Sequence, residues 1–448
     1  MGTLTFYFEL QHFKLKPNRI YCPSPNQQGN RARCAPCAHR ARLCYSSRYM
    51  AARVPTKEEL DSLFTRGVER CVGRDDIEKR LLAGDTLRIK LGIDPTSKNI
   101  HLGRSIPLLK LRDFQELGHQ IVFIVGDFTG VIGDTSDKES ERPMLSRETI
   151  AENQRTYFEQ VGKLIDLSRV EFRKNSEWLE TLTYREIGEH ADAFSVSDFI
   201  ARENIRKRLE AGKRVSLREV LYPLMQGYDS VAIRADLEVG GSDQWFNILA
   251  GRTLEERAGM QPQGIITNPL IAGLDGRKMS SSWGNTINLT DAPNDMYGKV
   301  LSLRDELIGT YFELCTRVPV EEVHALASTL ASGDLHPKEA KMRLAREIVT
   351  LYHSAEAANA AEEAFVHTFA EGNVPQDIPT VHVGVSSITA YDAVRACMSQ
   401  DAASNSEIRR LFTQHAIRSD DAPIEPDTML TLPVVLKVGK RQWFRADA

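Results

Sequence analysis

The segment GIDPTSKNIHLGRS, at residues 92–105, combines residue types that can bind an anion. It follows a short apolar run, and ligands of open α/β sheets bind at the carboxyl ends of such strands. The helix expected after it offers unpaired backbone N–H groups and a positive dipole end, a favourable seat for phosphate. His101 can donate to a phosphate oxygen, and Gly103 lets a bulky group approach the backbone. The segment predicts an anion site, with a purely structural role still open.

A second segment, GLDGRKMSSSWGN at residues 273–285, places Lys278 before three serines in a glycine-flanked loop. A lysine ammonium acts as a mobile point charge for phosphate, and serine hydroxyls add further donors. Alone, this segment also fits an ordinary surface loop. Together with the first segment, about 175 residues earlier, it indicates a nucleotide site built from distant parts of the chain.

A third group lies on one predicted helix. Tyr222, Gln226 and Asp229 follow i, i+4, i+7 spacing, so they share one helical face. Ser216 and Glu219, just before them, predict a capping box at the helix start. Polar groups on an otherwise apolar helix need partners, which a bound ligand or the protein itself could supply.

The elements around these groups predict an α/β fold. TLRIKLGID and QIVFIVGDF read as buried strands, and SIPLLKLRDFQELG between them has a helical apolar stripe from Ile106 to Gly118. A strand–helix–strand unit with this crossover implies parallel pairing in a Rossmann-like sheet. We expect the α/β domain at 55–300, a helical domain at 301–375, a linker at 376–386 and a small α+β module at 387–448 ending in a hairpin.

Composition limits the function classes. The chain has 448 residues, 42% of them hydrophobic, with a formal net charge of −4 and no apolar run of membrane-spanning length, so we expect a soluble protein. Residues 1–54 carry nine Lys or Arg and one acidic residue, leaving a net acidic body that argues against a general nucleic-acid coat. This acid-poor leader predicts a transit peptide, and a merely disordered N-terminus is the alternative. Its Cys34-x-x-Cys37 pair lacks the second half of a zinc finger.

Paired with HLGR at 101–104, the Lys278 loop resembles the two signatures of class I aminoacyl-tRNA synthetases. VIGDTSDKESERP, YPLMQGYDS and GGSDQWFN narrow the resemblance to the bacterial-type tyrosyl-tRNA synthetases. It runs from about residue 60 to the end, in the family's order. It implies a tyrosine–tRNA ligase that forms tyrosyl-adenylate from tyrosine and ATP and transfers the acyl group to tRNA(Tyr).

The resemblance also implies roles for residues. Asp229 should accept the substrate's phenolic hydroxyl; the other tyrosine-binding residues are Asp134, Tyr222, Gln226 and Gln244. ATP should contact Asp94, Thr96, His101, Gly103, Gly241, Asp243 and Lys278. The catalytic signatures comprise His101, Gly103, Arg104, Lys278, Ser280 and Ser282, and the pyrophosphate loop holds Lys138 and Arg142. Mg²⁺ is expected with ATP, and no protein metal site is predicted.

Three positions depart from the family pattern. Arg104 stands where many relatives have the second signature histidine, so its contact is not transferable. Ser281 replaces a second lysine, which removes one phosphate cation. Lys90 falls where some relatives have a tyrosine touching the substrate hydroxyl, and that role is not assigned to it.

Further partners follow from the resemblance. Residues 335–353 resemble the helical anticodon-binding domain, and the C-terminal module resembles a small RNA-binding module of ribosomal proteins. Its expected tRNA contacts are Arg409, Arg410, Lys437, Lys440 and Arg441. A homodimer is expected, without membrane contact, in a mitochondrion or chloroplast, or alternatively in the cytoplasm. A non-catalytic RNA-binding scaffold and the tryptophan enzyme are the alternative functions.

Overall fold

The structure is a computed structural model that describes residues 52–134, 144–367, 378–398, 404–419, 422–439 and 442–448. Residues 1–51 of the predicted leader, including its Cys pair, lie outside the described residues. So do Lys138 and Arg142 of the pyrophosphate loop and Lys440 and Arg441 of the C-terminal hairpin. Part of the predicted linker lies outside them too.

The strands of the described residues are β1 Arg70–Val72, β2 Arg88–Ile93, β3 Gln120–Val125, β4 Val170–Lys174, β5 Leu237–Gly241, β6 Gly264–Asn268, β7 Thr380–His382, β8 Ser387–Thr389, β9 Ile417–Ser419, β10 Ala422–Pro423, β11 Met429–Thr431, β12 Val434–Val438 and β13 Gln442–Asp447. The α-helices are α1 Lys57–Thr65, α2 Arg74–Leu82, α3 Leu102–Glu116, α4 Thr129–Ile132, α5 Arg147–Gln154, α6 Tyr157–Gly162, α7 Ser176–Leu179, α8 Tyr184–Ala191, α9 Val196–Ile200, α10 Glu203–Glu210, α11 Leu217–Ile233, α12 Trp245–Arg257, α13 Pro293–Leu301, α14 Ile308–Cys315, α15 Val320–Ser332, α16 Pro337–Tyr352, α17 Ala355–Phe365, α18 Ala390–Cys397 and α19 Asn405–Thr413.

The main sheet has the strand order β1-β6-β5-β2-β3-β4, and every neighbouring pair is parallel except β1 with β6. Leu91 pairs with Phe123, so the predicted parallel partnership of the first two buried strands is confirmed. From β2, the chain first adds β3 and β4 on one side of the sheet. It then returns and adds β5 and β6 on the other side of β2. The order therefore reverses between β2 and β5, the position at which such sheets bind ligands.

The helix after β2 begins earlier than its apolar stripe predicted. α3 starts at Leu102 rather than near Ile106, with His101 as its extended N-cap residue. Leu102 and Ser105 are buried, so the first turn is already part of the core even though it carries the Gly103–Arg104 pair. The predicted end is confirmed, because Gly118 follows the helix at a φ of 91°.

The region after residue 300 is helical, as predicted, through α14 to α17. Side chains of these helices, including Tyr311, Phe312 and Leu344, belong to the same hydrophobic cluster as Leu102 and Phe123 of the sheet region. The domain boundary at residue 300 therefore stays a prediction. None of the described helices is both long and apolar enough to span a membrane.

The C-terminal region has its own core. Ile408, Phe412, Leu436 and Phe444 pack into a separate cluster between two helices and the sheet β10-β9-β12-β13-β7. The predicted terminal hairpin is confirmed, since β12 and β13 pair antiparallel.

Candidate functional site

A cavity of about 230 Å³ opens at the carboxyl ends of β2, β3 and β5. It contains every predicted active-site residue of the described part of the chain: Asp94, Thr96, His101, Gly103, Arg104, Asp134, Tyr222, Gln226, Asp229, Gly241, Asp243, Gln244, Lys278, Ser280 and Ser282. The segments are far apart in sequence, so only the sheet topology brings them to one cleft. That position is the one expected for a ligand at a topological switch point.

The two signature segments contact each other directly. The backbone N–H of Leu102 donates to the carbonyl of Ile287 at 2.9 Å, just beyond the Lys278 loop. The N–H of Gly103 points at the sulfur of Met279, 3.4 Å away. The loop is held in shape by Asn285, whose Oδ1 accepts from the N–H of Ser280 at 2.9 Å. The start of α3 and the Lys278 loop thus form one wall of the cleft.

His101 is a neutral imidazole at this wall. Burial, together with the positive charges of Arg104 and Lys278, lowers its pKa to about 3. Its Nδ1 atom is buried and has no hydrogen-bond partner among the described residues. A neutral imidazole whose Nδ1 atom lacks a protein partner can form a hydrogen bond with a ligand, and it stays uncharged near neutral pH.

Two cations line the cleft in different surroundings. Lys278 forms an ion pair with Asp243, with Nζ 2.9 Å from Oδ2. Arg104 instead donates to two hydroxyls, those of Tyr157 at 3.2 Å and Thr96 at 3.1 Å. In the described part of the chain, no ion pair with a carboxylate involves Arg104. Its charge is therefore available to an anionic ligand.

A polar chain crosses the cleft above the sheet. The Tyr222 hydroxyl donates to Asp94 Oδ2 at 2.7 Å, and Thr129 donates to the other oxygen at 2.7 Å. Asp94 is tightly packed, because a Cβ on Gly126 would lie only 2.0 Å from its Oδ1. Gln244 donates to Asp134 Oδ2 at 2.7 Å. The Asp134 carboxylate and the Tyr222 hydroxyl offer acceptors that suit a ligand ammonium group.

Asp229 lies at the deep end of the cavity, on the helix face predicted for it. The predicted capping box of Ser216 and Glu219 is present, and α11 carries Tyr222, Gln226 and Asp229 into the cavity. A Cβ on Gly227 would lie 2.9 Å from the backbone of Ala250, so α11 and α12 are in close contact there. The helix position of Asp229 is therefore set by backbone packing.

Two residues that hold Asp229 were missed from the sequence. The indole N–H of Trp178 donates to Oδ1 at 2.8 Å, and the Asn175 amide donates to Oδ2 at 3.4 Å. Burial raises the pKa of Asp229 to about 7, against Lys90 and these two hydrogen bonds, which favour the charged form. Asn175 directly follows β4, so a polar residue at a strand's carboxyl end was an available signal. Nothing in the sequence singled out Trp178.

The expected tRNA-contact residues that are described do not line this cavity. Arg409 and Arg410 are exposed on α19, and the Lys437 ammonium lies 4.8 Å above the Trp443 ring. Among the described residues, no group of three or more His, Cys, Asp or Glu side chains could hold a metal ion.

Comparison with known proteins agrees with this arrangement. The family model described as tRNA synthetases class I (W and Y) matches residues 83–370. The chain is 42% identical over 400 residues to the tyrosine–tRNA ligase of Desulfotalea psychrophila, covering 88% of this chain and 98% of that one. It is 44% identical over 392 residues to the tyrosine–tRNA ligase of Moorella thermoacetica, covering 86% and 94%.

Solved structures show the same fold. Tyrosyl-tRNA synthetase from Archaeoglobus fulgidus, complexed with L-tyrosine, aligns with a TM-score of 0.55 at 25% identity, covering 68% of this chain and 99% of that one. A C-terminally truncated mitochondrial tyrosyl-tRNA synthetase from Coccidioides posadasii aligns with a TM-score of 0.56 at 23% identity, covering 69% and 92%. The family model and the relatives together show that this chain belongs to the class I tRNA synthetases of the tryptophan and tyrosine group.

Proposed function

We propose that this protein is a tyrosine–tRNA ligase, which activates L-tyrosine with ATP and transfers it to the 3′ end of tRNA(Tyr). One observation supports this most directly: a carboxylate, Asp229, is buried at the end of the same cavity that holds His101 and Lys278. One end of the cavity has an acceptor for the phenolic hydroxyl of tyrosine, and the other end has groups that can bind the phosphates of ATP. This arrangement would bring the tyrosine carboxylate next to the α-phosphate. Relatives at 42% and 44% identity that are tyrosine–tRNA ligases support the same substrate.

On the tyrosine side, Asp229 accepts the phenolic O–H of the substrate. Its own donors, Trp178 and Asn175, hold the carboxylate in place. Phenylalanine lacks the hydroxyl that this buried carboxylate accepts from, and sites of this kind reject the analogue by about 10⁴–10⁵, for which tyrosine selection is the established example. Asp134, Tyr222 and Gln226 hold the ammonium group, and Gln244 orients the carboxylate.

On the ATP side, a tyrosine carboxylate oxygen attacks the α-phosphorus. The bond to the bridging oxygen breaks, and pyrophosphate leaves with the electron pair. Gly103, Gly241, Asp94 and Asp243 position the nucleotide, while His101 donates to a phosphate oxygen. Lys278 and Arg104, with Thr96, Ser280 and Ser282, stabilise the charge on the departing group.

The chemistry needs alignment and charge stabilisation rather than an acid or base. A terminal ribose hydroxyl of the tRNA then attacks the acyl carbon, and AMP leaves. Mg²⁺ is expected on the phosphate oxygens of ATP, since it favours phosphates with few protein ligands.

ATP–pyrophosphate exchange by the purified full chain tests the proposal. We expect exchange with tyrosine, and at least about 10³-fold less with phenylalanine or tryptophan. Exchange that depends on tryptophan would instead support the tryptophan enzyme. No exchange with any amino acid, with tRNA still bound, would support an RNA-binding scaffold.

For tRNA binding, the C-terminal sheet offers a basic outer face. In the sheet register, Lys437 on β12 lies opposite Trp443 of β13 and Arg418 of β9, and Val435 lies opposite Arg445. Their neighbours Leu436, Val438 and Phe444 are buried, so the basic residues face outward. Arg409 and Arg410 are exposed on α19, which packs against the buried face of the sheet, so they form a separate candidate contact. Such contacts go mainly to phosphates.

The homodimer is proposed from the family resemblance, and exposed apolar side chains between residues 184 and 217 are candidates for its interface. Tyr184, Val196 and Leu217 are each exposed, Leu217 by 70%. Such residues in one stretch indicate an interface when they lie together. Light scattering of Leu217→Asp should show a monomer, whereas an unchanged dimer would place the interface elsewhere.

For localisation, the basic and acid-poor residues 1–54 support import into a mitochondrion or chloroplast. A fluorescent protein fused after residue 54 should be imported, and a diffuse cytoplasmic signal would refute this.

A further inference from the structure

A buried ion pair lies at the deep end of the cavity, where Glu238 belongs to the lining and Lys90 does not. Lys90 on β2 and Glu238 on β5 approach to 3.0 Å, and neither side chain is more than 2% exposed. Taking two charges out of water is so unfavourable that such pairs often stabilise a fold no better than apolar residues of the same size. The pair therefore calls for an explanation other than stability.

Lys90 is held by the helix that presents Asp229. Its ammonium donates to the backbone carbonyl of Gln226 at 2.9 Å and to the Ser230 hydroxyl at 2.8 Å. With Glu238, these acceptors use all three N–H groups of the ammonium. The acceptors lie three residues before and one residue after Asp229, so a fixed positive charge lies against the turn that carries this carboxylate.

Glu238 completes the same network. It accepts from the Gln226 amide at 3.3 Å and from Ser230 at 3.1 Å. The Gln263 amide donates to its second oxygen at 2.7 Å. The pair thus holds the side chain and backbone carbonyl of Gln226 and the side chain of Ser230, on either side of Asp229, against β2 and β5.

The charges around Asp229 divide into two groups. Lys90 favours its ionised form, and Glu238 opposes it with a smaller effect. Glu255 on α12 interacts electrostatically with both Lys90 and Glu238. Arg173 lies over the ring of Trp178, whose indole N–H donates to Asp229. Asp94 and Asp134 line the cavity on the substrate side. Lys90 is therefore the main positive charge that supports an ionised Asp229.

We propose that Lys90, locked by Glu238, is a positioning and specificity-determining residue for tyrosine, because it keeps Asp229 oriented and ionised as the acceptor of the phenolic hydroxyl. The inference rests on the proposed role of Asp229. Lys90 does not line the cavity itself, so it acts through Asp229 and Gln226 rather than by touching the substrate.

Lys90→Met tests the proposal, because methionine keeps the length of the side chain and removes the charge. In ATP–pyrophosphate exchange by the full chain, we expect kcat/KM for tyrosine at pH 7 to fall at least tenfold, with a much smaller change for phenylalanine. Without the lysine charge, the pKa of Asp229 should rise, so the acid limb of kcat/KM for tyrosine should move to higher pH. Glu238→Gln, which removes the opposing charge, should leave this limb in place or move it to lower pH.

Arg208→Met is the matched control. Arg208 on α10 and Glu219 on α11 form another buried ion pair, with side-chain exposures of 3% and 0%, outside the cavity lining. This variant should be less stable. It should keep both the ratio of kcat/KM for tyrosine to that for phenylalanine and the pH at which kcat/KM for tyrosine falls on the acid side. An unchanged ratio and limb in Lys90→Met, or the same shift in Arg208→Met or Glu238→Gln, would overturn the proposal. Asp229→Asn in the same assay separates the failures: retained selectivity there would refute the role of Asp229 itself.

Discussion

The two ends of the cleft are built differently. At the tyrosine end, Asp229, Trp178 and Lys90 are buried and hydrogen-bonded to each other or to neighbouring backbone. At the phosphate end, Lys278 and Arg104 are partly exposed on a loop and on the first turn of a helix. The tyrosine end is therefore a buried hydrogen-bonded network, and the phosphate end is a group of charged side chains at the solvent-accessible entrance of the cleft.

The difference teaches how each end can vary. A buried polar network is strong only when every member is satisfied, so a change in one member disturbs the others. Partly exposed charges act over several ångströms and are screened by water, so one cation can be moved with a modest effect. Arg104 and Ser281, the two signature residues that depart from the pattern implied by the resemblance, both line the cleft at its open end.

The largest effect is expected at the buried end. Asp229→Ala should lower tyrosine activation at least about 10³-fold, because it removes the hydroxyl acceptor and the partner of the Trp178 indole N–H. Pyrophosphate exchange measures this, with circular dichroism to check the fold. Asp236→Ala is the control, since Asp236 binds Arg80 and the backbone of Arg88 outside the cavity. Unchanged exchange in Asp229→Ala would remove the main support for the proposed substrate.

A smaller loss is expected for the loop lysine. Lys278→Ala should lower kcat about 10²-fold with little change in KM for tyrosine, because it removes one group that stabilises the leaving pyrophosphate. Lys299→Ala is a suitable control, because that lysine pairs with Asp291 and Asp295 away from the cleft. If Lys278→Ala raised only the KM for tyrosine, Lys278 would act at the tyrosine end of the cleft, which would contradict its proposed role at the phosphate end.

The pH dependence separates the two ends. With the pKa of Asp229 raised to about 7, its carboxylate is protonated below that pH and can no longer accept as an anion. The kcat/KM for tyrosine should therefore fall about tenfold per pH unit below 7, since this quantity reports groups of the free enzyme. His101 should add nothing, because its pKa is about 3.

Glu255 needs a control here, because burial raises its pKa to about 7 as well. Glu255→Gln should keep the acid limb. A flat profile between pH 5 and 8, or a limb that disappears in Glu255→Gln, would show that Asp229 is not the titrating group.

The smallest effect is expected for Arg104. Arg104→Ala should raise KM for ATP by about three- to tenfold, because a partly exposed cation bound only to hydroxyls contributes little. Arg112→Ala on the same helix, which breaks an exposed pair with Glu116, is the matched control. A 10²-fold loss for Arg104→Ala would contradict the view that the open end tolerates changes in charge.

Much of the site could be predicted from local sequence. The strand pattern around Leu91 and Phe123, the capping box of α11 and the i, i+4, i+7 face depend on short-range periodicity, and each was confirmed. The helix start was wrong by four residues, because the apolar stripe does not reveal that Leu102 is already buried. Trp178 was missed because an indole at this position looks like any core aromatic residue until its N–H partner is known.

The sequence by itself determined the types of groups available: a carboxylate face on α11, a histidine before α3, and a lysine in a glycine-flanked loop. Their order along the chain also determined the class of fold, since strand and helix periods are local properties. Only the tertiary structure decided that the lysine of β2 lies under Asp229 and that Glu238 of β5 locks it there. Burial and pairing, which set the charge state of each group, depend on neighbours from tens to more than a hundred residues away, and no local pattern encodes them.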